Sequence, residues 1–357
     1  MFATGCDNNG TPDGGGDLGS SGDAGTDLGT ADLGPADSGP PDLGPPDLGP
    51  PDLGPPCVGP PMLWSDTACS TLATGVRLYA PEFTLWADGA SKERYVYLPP
   101  GSKIDVTDPD HWNFPMGTRF YKLFGLGTTK LEIRTLEKTA PDPGLGSWSV
   151  HSWEWSADGL SMTDTTSAGA MNILGTEHDI PSRAQCGSCH GPASDAILGF
   201  SAVQLAHGTG LDLATLNAEG WLGTMNAGGT LDPATIDPAT AEIPGTGNVR
   251  AALGYLNANC AQCHHGPGAP AGMRLDVLTG LTMPSETQAY VTAVGVATTG
   301  FHMGGISQRV VPGDPSMSAI PYRMMHRGDT AQMPPLGTEL VDDAGVTTIS
   351  AWITGLP

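Results

Sequence analysis

Two short strings constrain this chain more than anything else in its 357 residues: Cys186-Gly187-Ser188-Cys189-His190 and Cys260-Ala261-Gln262-Cys263-His264. In each, two thiols three positions apart are followed at once by an imidazole. On one helical turn that spacing turns both sulfurs to the same face. There they can close thioethers to the two vinyl groups of a porphyrin while the next side chain reaches the iron from the same side. The chain is therefore expected to carry two covalently attached haem c groups, with His190 and His264 as iron ligands. A zinc site or a redox dithiol fits less well. Paired zinc motifs stand about 15–20 residues apart and need no histidine after each pair, whereas Cys189 and Cys260 are 71 positions apart. A redox dithiol has no use for the histidine either.

Residues 1–56 set a second constraint, because they cannot build a core. They hold ten Asp, no Lys or Arg, almost no large apolar side chain, and Pro-Pro-Asp-Leu-Gly three times in succession from Pro40 to Gly54. Such composition is expected to stay disordered as an extended stalk. From residue 75 to 165 the pattern changes to short aromatic or β-branched runs, Lys92–Leu98, Arg119–Phe124, Lys130–Leu136 and Ser147–Trp155. Asp88-Gly89, Pro99-Pro100-Gly101 and Pro141-Asp142-Pro143-Gly144 separate them as turns. This predicts a β-sandwich or small barrel. Trp86, Trp112, Trp148, Trp153 and Trp155 all fall there and are expected to form its core, the rival use being stacking on sugar rings. After about residue 176, helix patterns alternate with Gly- and Pro-rich loops, which suits a region whose core is partly porphyrin. The expected fold class is thus α+β and multidomain: a stalk over 1–56, a β-rich domain over 57–170, and a mostly α haem region with lobes over 171–247 and 248–357.

Asn248–Asn259 and Val346–Ile353 read as helices that pack together, with Trp352 near Gly254 and Tyr255. With Asn259-Cys260-Ala261-Gln262-Cys263-His264 between them and Met333-Pro334-Pro335-Leu336-Gly337 before the last helix, residues 248–357 resemble a class I cytochrome c domain. The resemblance implies that Met333 is the distal ligand of the second haem. A thioether is a soft ligand suited to haem iron, and His/Met ligation raises the potential. Its proline neighbours stiffen the presenting loop, and the rival reading is a packing methionine, with Met324 and Met325 close by. The carbonyls of Pro192 and Pro267 are expected to orient His190 and His264. For the first haem the distal ligand stays open among Met225, His207, Met171 and His178, or water. His265 is read as a solvated neighbour of His264.

A wider resemblance spans nearly everything after the stalk. Leu85-Trp86-Ala87-Asp88-Gly89-Ala90 with Lys92 and Arg94, Phe114-Pro115-Met116-Gly117-Thr118, both haem motifs, and Val311-Pro312-Gly313-Asp314-Pro315 are similar to a family of exported bacterial dihaem c-type cytochrome modules, whose β-rich part precedes the haem part. Some members are fused behind sugar-dehydrogenase-like propellers, which implies a role in receiving electrons from a redox donor such as a dehydrogenase. This chain departs from that pattern in lacking a propeller, which leaves its electron source open.

The remaining cysteines speak of compartment. Cys57 and Cys69 are expected to pair in the oxidising space where haem c is attached. Cys6 after Ala3-Thr4-Gly5 reads as the acylated residue of an exported lipoprotein whose signal sequence is missing from this chain. That predicts a periplasmic or cell-surface protein touching a membrane only through that anchor. The net charge of −23 argues against nucleic acid and for a basic redox partner. The expected function is one-electron transfer between exported or membrane-bound donor and acceptor proteins. The alternatives are a dihaem peroxidase or oxidoreductase with an open first haem, His207 serving as acid/base, and a haem unit targeted by a glycan-binding β domain.

Overall fold

The computed structural model describes residues 59–193, 195–207 and 210–357. The Pro/Asp/Gly segment, Cys6 and Cys57 lie outside the described residues.

Strands form where the sequence alternates. β1 (Val76–Tyr79), β2 (Ser91–Tyr97), β4 (Arg119–Leu126), β5 (Thr129–Lys138), β6 (Trp148–Trp155) and β7 (Met162–Asp164) make one six-stranded sheet in the order β1-β2-β4-β5-β6-β7. Every pairing in it is antiparallel. β3 (Ile104–Asp105) leaves this meander and pairs in parallel with β8 (Leu222–Met225), which pairs in turn with β9 (Leu231–Pro233). Seven α-helices complete the described chain: α1 (Arg183–His190), α2 (Ala202–Leu205), α3 (Leu213–Ala218), α4 (Gly247–Asn259), α5 (Gln288–Ala293), α6 (Ala319–Met324) and α7 (Asp343–Thr354). The class is α+β.

The expected sandwich is not formed by sheets alone. An apolar sheet face must be covered, and here helices share that cover with the small second sheet, through Ile104 of β3 and Leu222 of β8. Val96, Phe120, Leu136 and Val150 lie side by side across β2, β4, β5 and β6. They share one core with Phe200, with Ala202 and Leu205 of α2, and with Leu213 and Leu216 of α3. Residues 171–247 therefore complete the core of the sheet rather than enclosing one of their own, and the β3–β8 pair ties the same two segments together. The opposite face packs Tyr121, Ile133 and Trp155 on Leu63, Val76 and Met162. Trp112, Trp148 and Trp155 are buried, as expected for core residues, and Trp86 and Trp153 are half-buried.

Residues 248–357 gather around a second core in which α4 and α7 pack, through Leu253, Leu256, Ile349 and Trp352. Two of its close approaches fall at glycines. Gly345 on α7 receives the Tyr255 ring, a Cβ there lying 2.4 Å from it, and Gly254 receives Phe83, whose ring would stand 2.3 Å from an added Cβ. Trp352, in the core against which Tyr255 packs, donates its Nε1–H to Tyr290 Oη at 3.2 Å. Glycine is required at both contacts because any side chain would occupy ring space.

Cys69 is disulfide-bonded, while Cys186, Cys189, Cys260 and Cys263 are free thiols. No helix among the described residues is long and apolar enough to cross a membrane.

Candidate haem-attachment site

The first motif is helical as its spacing demands. α1 begins at a capping box, Ser182 N–H donating to Gln185 Oε1 at 2.9 Å, and runs to His190, so Cys186 and Cys189 share a face. The second motif follows α4: Cys260 caps the helix, and the turn continues with His264 N–H donating to the Cys260 carbonyl at 2.9 Å.

Both histidines are held in the same chemical state. His190 Nδ1 donates to the Ala196 carbonyl at 2.5 Å, and His264 Nδ1 donates to the Met273 carbonyl at 3.0 Å. The expected partners, Pro192 and Pro267, are displaced because the loops turn back six and nine residues after the histidines, bringing those later carbonyls to the rings. A donor at Nδ1 leaves Nε2 as a bare lone pair, the form that ligates a metal. Burial favours it further. It lowers His190 to about 3, helped by the nearby Lys122 and Arg134 cations against the Ala196 bond, and it lowers His264, helped by Arg323 and Arg309.

The loop that presents Ala196 is anchored one residue earlier. Asp195 is buried and ion-paired with the equally buried Lys138. It also accepts Trp148 Nε1–H at 2.9 Å, Gly144 N–H at 3.1 Å and Phe114 N–H at 2.9 Å. The Phe114–Thr118 segment thus serves as one wall of this anchor.

Around the second motif lies a largely apolar cavity of about 1400 Å³, open solvent included. Cys260, Cys263, His264 and Met333 all line it, with Leu275, Phe301 and Ile320 among its apolar wall. This is the convergence the sequence predicts: the motif thiols, one imidazole and one thioether on a single cavity. Met333 N–H donates to the Arg323 carbonyl at 3.1 Å, and Arg323 Nε–H donates to the Ala331 carbonyl at 2.9 Å, so the methionine loop is tied to α6. Met324 lines the same cavity and Met325 is exposed.

The wall is not confined to residues 248–357. Leu85 and Trp86 line it too, and their segment is stitched to both ends of the site. Trp86 N–H donates to Asn259 Oδ1 at 2.7 Å, one residue before Cys260. Asp88 accepts Glu339 N–H at 3.1 Å and Leu340 N–H at 3.0 Å, just after the methionine loop. Sequence reasoning singled out Leu85–Ala90 without assigning it a task; this clip is the task.

Ser188 and Cys189 of the first motif also line the cavity of the second. Cys263 Sγ–H donates to the Ser188 carbonyl at 3.5 Å, and the Cys189 and Cys263 thiols are near enough to act on each other, raising Cys189 and lowering Cys263. The two motifs, separate in sequence, are in contact.

The candidates for the first distal ligand fare differently. His178 is buried with Nε2 on Glu132 Oε1 at 2.8 Å, so that imidazole is already engaged. His207 Nε2 donates to the Ala80 carbonyl at 3.0 Å. Met225 and Met171 are exposed, and neither of them nor His207 lines either of the two cavities described here. His265 lines the other one. Among the described residues no group of three or more His, Cys, Asp or Glu side chains converges to hold a metal ion. No family model, curated protein or solved structure matches the chain.

Proposed function

We propose that this protein is an exported dihaem c-type cytochrome that passes single electrons between a donor and an acceptor protein. The observation that carries the reading is the contact between the two Cys-x-x-Cys-His motifs through Cys189, Ser188 and Cys263, which gives the two attachment points a common boundary. A chain with two unrelated binding sites has no need of that contact; a relay does.

Bound haem supplies a one-electron ferric/ferrous couple. The chain's residues do the rest. Cys186, Cys189, Cys260 and Cys263 would hold the cofactor by thioethers, each S–H adding across a vinyl double bond. His190 and His264 would present bare Nε2 lone pairs to the iron, and Met333, which lines the second cavity, would offer a thioether. The apolar wall around Met333 excludes water and favours the less charged, reduced state, so the second site is the higher-potential end. The acidic surface steers a basic partner at low salt.

The test is intact mass and absorption of the full chain made in a host that attaches haem c. Two covalent haems, both low-spin and indifferent to carbon monoxide, support electron transfer. One high-spin haem that binds carbon monoxide moves the peroxidase-type reading ahead, and absence of covalent haem defeats both.

A further inference from the structure

The sheet carries a row of charge that its surroundings do not explain. Arg94, Lys122 and Arg134 stand directly opposite one another on β2, β4 and β5, and Lys92, Phe124 and Glu132 form the next row. Like charges in registered cross-strand positions repel, and this face is inside the protein. Arg94 is 5% and Lys122 8% exposed.

One of the four cations has a counter-charge. Arg134 donates Nε–H to Glu132 Oε2 at 2.9 Å and is ion-paired with the same carboxylate, which His178 also engages. The other three form no ion pair among the described residues. Arg94 donates only to the Lys92 carbonyl at 3.2 Å and Lys92 only to the Leu85 carbonyl at 3.4 Å. Lys122 has no hydrogen-bond partner among the described residues.

These three side chains line one cavity of about 1060 Å³, open solvent included, together with Ala193 and Ile197 of the loop that follows His190 and with Ala261, Gln262 and His265 at the second motif. Its two carboxylates do not answer them: Asp110 accepts Thr279 N–H at 2.8 Å, and buried Asp276 Oδ1 has no hydrogen-bond partner. A buried ammonium without an anion is costly. In a chain of net charge −23, three uncompensated cations on one interior wall mark a place built for negative charge.

We infer that Lys92, Arg94 and Lys122 bind the carboxylates of the first porphyrin, so that the β-sheet supplies the polar wall of the first haem site. The assignment rests on the dihaem reading above. Lys122 lies close enough to His190, Cys186 and Cys189 to act on each of them electrostatically. The cation row therefore borders the first attachment motif, as a porphyrin held at one edge by thioethers and at another by its propionates requires. Charge-assisted hydrogen bonds to carboxylates are the strong ones, and a shared anion turns the repulsion between Arg94 and Lys122 into a clamp.

Lys122→Met in the full chain, made with haem attachment, tests this by sign. If the carboxylates are there, the variant keeps two covalent haems by intact mass, the lower of the two midpoint potentials falls and the urea midpoint falls. Lys92→Met, on the neighbouring row, moves both quantities the same way and guards against a folding defect peculiar to Lys122. With two haems attached, an unmoved potential together with a raised urea midpoint overturns the assignment, because removing an unpaired like charge then only relieves repulsion. A switch of one haem to a high-spin spectrum in Lys122→Met makes the ammonium an iron ligand and also overturns it. So does a stabilisation of the wild-type holoprotein by inorganic phosphate that Lys122→Met abolishes, since the wall then takes a diffusible anion. Wild-type protein without covalent haem defeats the dihaem reading itself, a result distinct from all of these.

Discussion

Lys138 and Asp195 form an ion pair inside the core, one residue before the carbonyl that orients His190. A buried pair of this kind is worth little against an apolar replacement, but breaking it strands a charge. Asp195→Ala is expected to destabilise the protein by roughly 3–5 kcal/mol, read from urea unfolding. The double variant Lys138→Met/Asp195→Asn recovers most of that loss, because the Asn oxygen still accepts from Phe114, Gly144 or Trp148. Equal instability of the single and double variants would mean that the pair is not what holds the loop.

Met333 and Met324 both line the second cavity, and only one of them can reach the iron. In the haem-loaded protein Met333→Ala is expected to abolish the sulfur-to-iron absorption band, lower the potential of that haem and admit carbon monoxide. Met324→Leu keeps the band and changes stability by less than about 1.5 kcal/mol. The reverse outcome assigns the ligand to α6.

Burial alone would raise Glu132 above its ordinary value of 4.5, but Arg134 and the bond from His178 hold it below that value. A carboxylate depressed in the folded state contributes stability that is present above its unfolded value and is lost as pH falls through the folded one. The gap between wild type and Glu132→Gln in urea midpoint should therefore be widest near neutrality and close progressively below about pH 4.5. A gap independent of pH would show that Glu132 acts through shape and not through charge.

Gly254→Ala drives a methyl group into the Phe83 ring. The expected cost is about 1–3 kcal/mol, and Phe83→Leu in the same chain should recover part of it although Phe83→Leu alone is destabilising. A double-mutant cycle over the two positions reads the coupling directly; additivity within error would separate them.

Much of this was legible in the chain. The strands were marked by aromatic and β-branched runs between turn residues: Lys92–Leu98 became β2 Ser91–Tyr97, and Lys130–Leu136 became β5 Thr129–Lys138. α4 and α7 and the placing of Cys260, Cys263 and His264 on one turn also followed from pattern and spacing, while Met333 was joined to them by the class I cytochrome c resemblance. What was hidden depends on tertiary cover. Lys92 and Arg94 alternate with other side chains as a solvated face does, and nothing local reveals that this face is roofed over. The carbonyls that hold His190 and His264 are six and nine residues away along irregular loops, where no periodicity speaks. The sandwich expectation missed the helices that share the cover with the small sheet, because strand patterns show that a face is apolar, not what will cover it.

The segment from Phe83 to Asp88 makes its contacts at Gly254, Asn259 and Leu340, from about 170 to 250 residues further along the chain. Such distant closures are slow to form. A chain emerging from its N-terminus can assemble the meander early, yet it must leave the Trp86 side unsealed until the last hundred residues arrive. The order of synthesis thus leaves the Asn259 end of the second Cys-x-x-Cys-His motif unclipped until the chain is nearly complete.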